Sequence, residues 1–164
     1  MAFYFINTMN LKIRHANIRS LYGNFLDVTL QVDYQSLDIM CFPETWLDIS
    51  HPEANLQIPG YRFFREDRSK RKGGGVAGYI INALTSKRLY PVGSPVETLF
   101  LEIRVTAKTK FLLVVSYSAP NQNKLQVDQY LASLQSAITL STIQQSYETT
   151  IVVGDFNGKY LRAR

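Results

Sequence analysis

The sequence predicts an α/β fold, and three observations lead to it. Short apolar runs of strand length recur along the 164 residues. Two longer stretches carry apolar residues at helical steps. Each of those stretches lies between two strand-like runs, which is how a helix is placed when it connects neighbouring strands.

The first run covers residues 11–17 and the second 37–42, and between them Leu21, Phe25, Val28 and Val32 follow at steps of four, three and four, suiting one face of a helix. From Tyr61 to Tyr117 the pattern changes to successive strands: 61–65, 76–81, 97–105 and 110–117. In 97–105, Leu99, Leu101, Ile103 and Val105 alternate with Phe100, Glu102 and Arg104, so one face should be buried more fully than the other. Pro120-Asn121-Gln122-Asn123 ends that series. Val127, Tyr130, Leu131, Leu134, Ala137 and Ile138 then mark a second amphipathic helix, and a strand over 150–153 follows. No repeat, low-complexity tract or linker divides the chain, so residues 1–164 read as one domain. A chain of this size with 46% apolar residues can bury roughly 70% of its unfolded surface.

Composition excludes several classes. The only cysteine, Cys41, falls inside an apolar run, which rules out a disulfide within the chain or a cysteine-rich zinc site and suits a reducing compartment. The opening Met1-Ala2-Phe3-Tyr4-Phe5-Ile6-Asn7 has neither a basic start nor a long apolar stretch, which argues against a signal peptide. No run approaches the roughly 20 apolar residues that span a bilayer. The expectation is a soluble intracellular protein without a membrane partner. A formal charge of +5 favours a polyanionic partner, although such a surplus is also common in proteins that bind no nucleic acid.

Two carboxylates stand just past the ends of apolar strands. Glu44 follows Leu37-Asp38-Ile39-Met40-Cys41-Phe42-Pro43, and Asp155 follows Ile151-Val152-Val153-Gly154. Strands that end in carboxylates bring charge to the rim of a sheet, where a hard cation and a phosphate can be held. For Glu44 the competing reading is a solvated turn residue. For Asp155 and Asn157 it is a turn built on Asn157-Gly158.

These segments, Asp38-Ile39 through Pro43-Glu44-Thr45-Trp46-Leu47 and Val152-Val153-Gly154-Asp155-Phe156-Asn157, resemble the endonuclease/exonuclease/phosphatase superfamily, and most closely the endonuclease domain of non-LTR retrotransposons. Further segments follow the same pattern in order: 11–21 with Asn17-Ile18-Arg19-Ser20-Leu21, 60–68, Gly73-Gly74-Gly75-Val76-Ala77, and Ser116-Tyr117-Ser118-Ala119-Pro120-Asn121. The resemblance covers about residues 11–158. It implies a four-layer α/β/β/α sandwich. It also implies a closing Ser-Asp-His motif, which is absent from the 164 residues, so the second sheet is expected to lack its C-terminal part, strand 150–154 to keep a free edge, and stability to be marginal or association to occur.

The resemblance assigns roles residue by residue. Glu44 is the metal ligand, for Mg2+ or alternatively Mn2+. Asp155 positions or deprotonates water, Asn157 and Tyr117 contact the phosphate, and Asn17 steadies the metal-binding groups. A helix cap is the other reading of Asn17, and strand packing that of Tyr117. Arg19 occupies a place that is acidic in the DNA-repair branch, so no second carboxylate comes from the first motif. Neither His15 nor His51 matches the catalytic histidine of the Ser-Asp-His motif, a loss expected to cost about 10²–10⁴ in rate. Arg65, Arg68, Lys70, Arg71 and Lys72 precede the glycine run and read either as DNA contacts or as a solvated hairpin tip.

The function implied is a Mg2+-dependent endonuclease that nicks DNA to prime reverse transcription. A reverse transcriptase is expected downstream and the nucleus as the place of action. A non-catalytic remnant with weak nucleic-acid binding and a phosphatase acting on inositol phosphates or lipids are the alternatives.

Overall fold

The computed structural model describes residues 2–6, 11–69 and 73–157. The first sheet contains β1 (Ala2–Ile6), β2 (Leu11–His15), β3 (Ile39–Pro43), β4 (Tyr61–Glu66) and β5 (Val76–Ile81), in the spatial order β1-β2-β3-β5-β4. The second contains β6 (Thr85–Leu89), β7 (Thr98–Arg104), β8 (Lys110–Tyr117) and β9 (Thr150–Asp155), side by side in chain order. Helix α1 (Phe25–Gln35) carries the chain from β2 to β3, and α2 (Lys124–Ile143) from β8 to β9. Those two strand pairs are parallel and every other neighbouring pair is antiparallel. The contrast follows from the connections: a parallel pair needs a long crossover, which a helix supplies, whereas antiparallel neighbours need only a turn.

Three apolar layers hold these elements together. Between the sheets, Ile13, Ile39, Cys41, Val76 and Ile80 of the first meet Leu99, Leu101, Ile103, Leu113 and Val115 of the second, all buried. On the outer face of the first sheet, Met40, Phe42, Phe63 and Tyr79 pack with Val28 of α1. On the outer face of the second, Phe100, Leu112 and Val114 pack with Leu134 and Ala137 of α2. The order helix, sheet, sheet, helix is the four-layer sandwich expected. A central strand covered on both faces reads as a continuous apolar run rather than an alternation, and β3 is buried at all five positions.

Several sequence readings need correction. The helical face was expected to include Leu21, but α1 begins at Phe25. Leu21 is buried in the preceding turn, which Asn24 secures by donating its side-chain amide to the carbonyls of Ile18 at 3.1 Å and Ser20 at 2.9 Å. In β7 the expected difference between faces holds, with Leu99, Leu101 and Ile103 fully buried and Glu102 and Arg104 half-buried, but Phe100 on the second face is 1% exposed because α2 covers it. Two strands were unforeseen. Ala2–Ile6 pairs antiparallel with β2, and polar Thr85–Leu89 pairs with β7. Both lie at sheet edges, where one side of the strand needs no partner.

The second helix begins as expected. The break at 120–123 is real, and Asn123 and Gln126 form a reciprocal capping box at the start of α2, an arrangement worth about 1 kcal/mol. Among the described strands β9 pairs only with β8. An apolar groove of about 480 Å³, lined by Leu131, Leu134, Gln135, Ile138, Val152 and Phe156, runs beside it. Cys41 is buried and free, and burial pushes its thiol pKa up. No helix among the described residues is long and apolar enough to cross a membrane.

Candidate active site

The two parallel strand pairs end at the same rim. Past the end of β2, the N–H of Ala16 donates to Cys41 and that of Ile18 to Pro43, so the pairing with β3 continues and Asn17 is carried to the end of that strand. Glu44 is the next residue of the β3 chain. In the second sheet Tyr117 and Asp155 are register partners at the last positions of β8 and β9. Carboxyl ends of neighbouring parallel strands are where α/β sheets gather their ligands.

Two side-chain hydrogen bonds join the sheets there. The Tyr117 hydroxyl donates to Glu44 Oε1 at 2.9 Å, and Asn17 Nδ2 donates to Asp155 Oδ2 at 2.8 Å. Asn17 is therefore committed to the rim and not to capping a helix. The Asn157 N–H donates to Asp155 Oδ1 at 3.2 Å, and its side-chain amide to the Ser118 carbonyl at 2.8 Å. Phe156 turns the opposite way, against the α2 layer. Asn157 sits at φ 42°, a left-handed conformation that Asn tolerates better than most residues. Gly158, its supposed turn partner, lies outside the described residues.

Burial first, and then the Glu44 carboxylate, push the Tyr117 pKa well above the ordinary tyrosine value, while Arg68 opposes them. Tyr117 is accordingly a neutral hydrogen-bond donor at physiological pH and not a base. His15, near Asp155, is held below the usual histidine pKa mainly by burial, against the pull of Asp155. Its Nε2 is buried and, among the described residues, has no hydrogen-bond partner.

A further unit of the site went unrecognised in the sequence. Glu97, 6% exposed, accepts from Arg68 Nε at 2.9 Å and Nη2 at 2.8 Å, and from the Gly75 N–H at 2.6 Å. This holds the Arg68 guanidinium 5.4 Å from the centre of the Tyr117 ring. The glycines make the approach feasible: a Cβ on Gly74 would lie 2.1 Å from Glu97 Oε1, and one on Gly75 2.6 Å from Thr45 Oγ1. An acid ahead of β7 carries no signal by itself. Only the proximity of a cationic segment 29 residues earlier, invisible in a linear reading, gives it a partner.

The cationic segment divides. Arg65 does not join the rim: it donates to Asp67, to the His51 carbonyl at 2.7 Å and to the Asp48 carbonyl at 2.8 Å, tying β4 to the 48–51 loop. Arg68 is held at the rim by Glu97. Lys70, Arg71 and Lys72 lie outside the described residues. Arg68 also borders a cavity of about 510 Å³ shared with Val96, Glu97 and Ala119, and one of about 600 Å³ shared with Asp48, His51 and Arg65. Glu44 and Asp155 line neither.

Among the described residues no three His, Cys, Asp or Glu side chains cluster as metal ligands, and neither Glu44 nor Asp155 forms an ion pair with Lys or Arg. Magnesium binds through one or two carboxylates and keeps several waters beside a substrate phosphate, a requirement that a single carboxylate such as Glu44 is enough to meet.

No protein-family profile matches the sequence, and no curated protein does. Solved structures do match the fold. The AP endonuclease LMAP from Leishmania major superposes with a TM-score of 0.71 at 19% identity, over 88% of this chain and 54% of that one. ANGEL2, a 2',3'-cyclic phosphatase, gives 0.70 at 17% identity over 96% and 55%. The endonuclease domain of TRAS1, a telomere-specific non-LTR retrotransposon, gives 0.66 at 17% identity over 92% and 62%. The chain thus spans little more than half the length of the solved chains it resembles. Its two sheets and flanking helices are the fold that these nucleases and this phosphatase share, the endonuclease/exonuclease/phosphatase fold.

Proposed function

We propose that the chain carries the phosphodiesterase site of a divalent-metal-dependent endonuclease acting on DNA, of the kind found in non-LTR retrotransposons. The observation that supports it best is the meeting of Glu44 with Tyr117 and of Asn17 with Asp155 across two sheets, since in-line hydrolysis needs its groups fixed relative to one another. Glu44 would hold Mg2+, or Mn2+ in its place, and the cation would supply charge neutralisation at the phosphate. The Asp155 carboxylate, oriented by Asn17, aims or deprotonates the attacking water. Tyr117, fixed in its neutral form, donates to a phosphate oxygen. Asn157 has one amide hydrogen engaged by Ser118 and keeps the other for the substrate. Arg68 adds a fixed positive charge beside Tyr117, while Lys70, Arg71 and Lys72 supply phosphate contacts along the strand. In this reading the cut leaves a 3′-hydroxyl for priming, the product is used by a reverse transcriptase encoded downstream, and the site of action is nuclear.

The experiment is nicking of supercoiled plasmid with Mg2+, comparing the chain with Glu44→Gln and Asp155→Asn. The ratio of rates between variants is the readout, and each variant should lower the rate by at least about tenfold. Undiminished cutting by Glu44→Gln rejects the metal role.

The likeness to a 2',3'-cyclic phosphatase favours a second reading, a phosphatase acting on small phosphate esters. Release of phosphate from such substrates without nicking of duplex DNA would select it.

A further inference from the structure

The segment after β3 alternates in burial. Glu44 is partly exposed, Thr45 buried, Trp46 46% exposed, Leu47 buried and Asp48 exposed. The Glu44 carboxylate and the Trp46 indole are therefore both reached by solvent while Thr45 between them and Leu47 beyond anchor the turn. The anchoring comes from two sides. The N–H groups of Thr45 and Trp46 donate to Gly75 at 3.3 Å and Gly74 at 2.9 Å, and the carbonyls of Glu44 and Thr45 accept from Ser20 at 3.0 Å and Leu21 at 2.8 Å. So tied, Trp46 adopts φ 55°, a left-handed backbone that bulky residues avoid unless their surroundings impose it. Gly73 lies beside the ring, where a Cβ would come within 3.5 Å of Nε1. Among the described residues the indole has no hydrogen bond, ring contact or cation above it, in contrast with Tyr117 and Tyr90, each of which carries a guanidinium.

A rigid aromatic plane of this kind, one residue removed from a phosphate-handling carboxylate, matches the chemistry of a nucleotide: a flat base joined to its phosphate by a short sugar. We propose that Trp46 is a stacking platform for a nucleobase of the bound strand, next to the phosphate held at the Glu44 and Tyr117 pair. This rests on the nucleic-acid reading above. Stacking accepts any base, so the platform sets affinity and the position of the strand rather than sequence preference.

Trp46 is the chain's only tryptophan, so intrinsic fluorescence reports on this ring alone. The test titrates the 164-residue chain, in chelator to prevent cleavage, with labelled oligodeoxythymidylate of about ten nucleotides and with an abasic tetrahydrofuran phosphate chain of the same length. Anisotropy reads binding and tryptophan emission reads stacking. The proposal expects quenching by the first probe only. It also expects Trp46→Ala to weaken the first probe by about five- to a hundredfold with the abasic chain unchanged, and Trp46→Phe to retain most of the affinity. Equal binding of the thymidylate by native protein and Trp46→Ala overturns the platform and leaves the nucleic-acid reading standing. Equal losses for both probes make Trp46 merely structural and likewise overturn it. If neither probe binds even at low salt, the nucleic-acid reading fails and the platform with it.

Discussion

The phenol of Tyr117 and the carboxylate of Glu44 are 2.9 Å apart although they are carried by different sheets, so the site exists only when the sheets are packed. Tyr117→Phe removes the bond without leaving a cavity. The expected loss is about 1 kcal/mol of stability, or a fall of roughly 2–4 °C in melting temperature. Cleavage should drop much further, by about 10²-fold in kcat. Because the phenol stays protonated, its contribution should not titrate between about pH 6 and 9. A native-like melt with an undiminished rate would remove Tyr117 from the chemistry.

Glu97 is the most heavily engaged buried acid at the rim, accepting two bonds from Arg68 and one from Gly75. Glu97→Ala strands the guanidinium and a backbone N–H, and the expected cost is about 3 kcal/mol. Glu97→Gln keeps one acceptor oxygen but turns an NH2 group toward Arg68, so its cost should be smaller, about 1–2 kcal/mol. Urea midpoints check the order. A change under about 0.5 kcal/mol for Glu97→Ala would show that the Arg68 and Glu97 pair does not organise the rim.

Glu102 gives the pH dependence a definite sign. Burial pushes its pKa up, but Lys110, Tyr147 and Arg104 together hold it below the ordinary value of 4.5. The unfolded chain therefore binds protons more readily at acid pH. The stabilisation from Glu102 is complete above about pH 5.5 and is lost as pH falls through the folded pKa. The difference in urea midpoint between the native protein and Glu102→Gln should be constant above that pH and shrink below about 4.5. A difference that does not change with acidification contradicts the pairing.

Much of the architecture was legible in the sequence because its signals are local. β3 and the Phe111–Val115 stretch of β8 are unbroken apolar runs, the Pro120-Asn121-Gln122-Asn123 break precedes α2, and the two helices fall where parallel pairs require them. The edge strands escaped for a physical reason. Thr85-Ser86-Lys87-Arg88-Leu89 has the polar character of an edge and too little alternation to announce itself, and Ala2–Ile6 is an apolar stretch at the terminus whose partner is not implied by its own pattern. At the site, Glu44, Asp155, Asn17 and Tyr117 were recognisable from motif order, but that order does not say what each touches. Arg65 and Arg68 looked alike in sequence, and their partners separate them: the 48–51 loop carbonyls and Asp67 make one a loop tie, and buried Glu97 makes the other a neighbour of Tyr117.

The proposal turns on Glu44 holding a cation at the rim where Asp155 handles the attacking water, and Mn2+ binding followed by electron paramagnetic resonance tests it without requiring turnover. The native chain should bind the ion with Mg2+ in competition. Glu44→Gln should weaken that event by about tenfold or more, while Asp155→Asn, which acts on the water, keeps most of the affinity and Glu102→Gln leaves it unchanged. Equal Mn2+ affinity in native protein and Glu44→Gln would overturn the metal site.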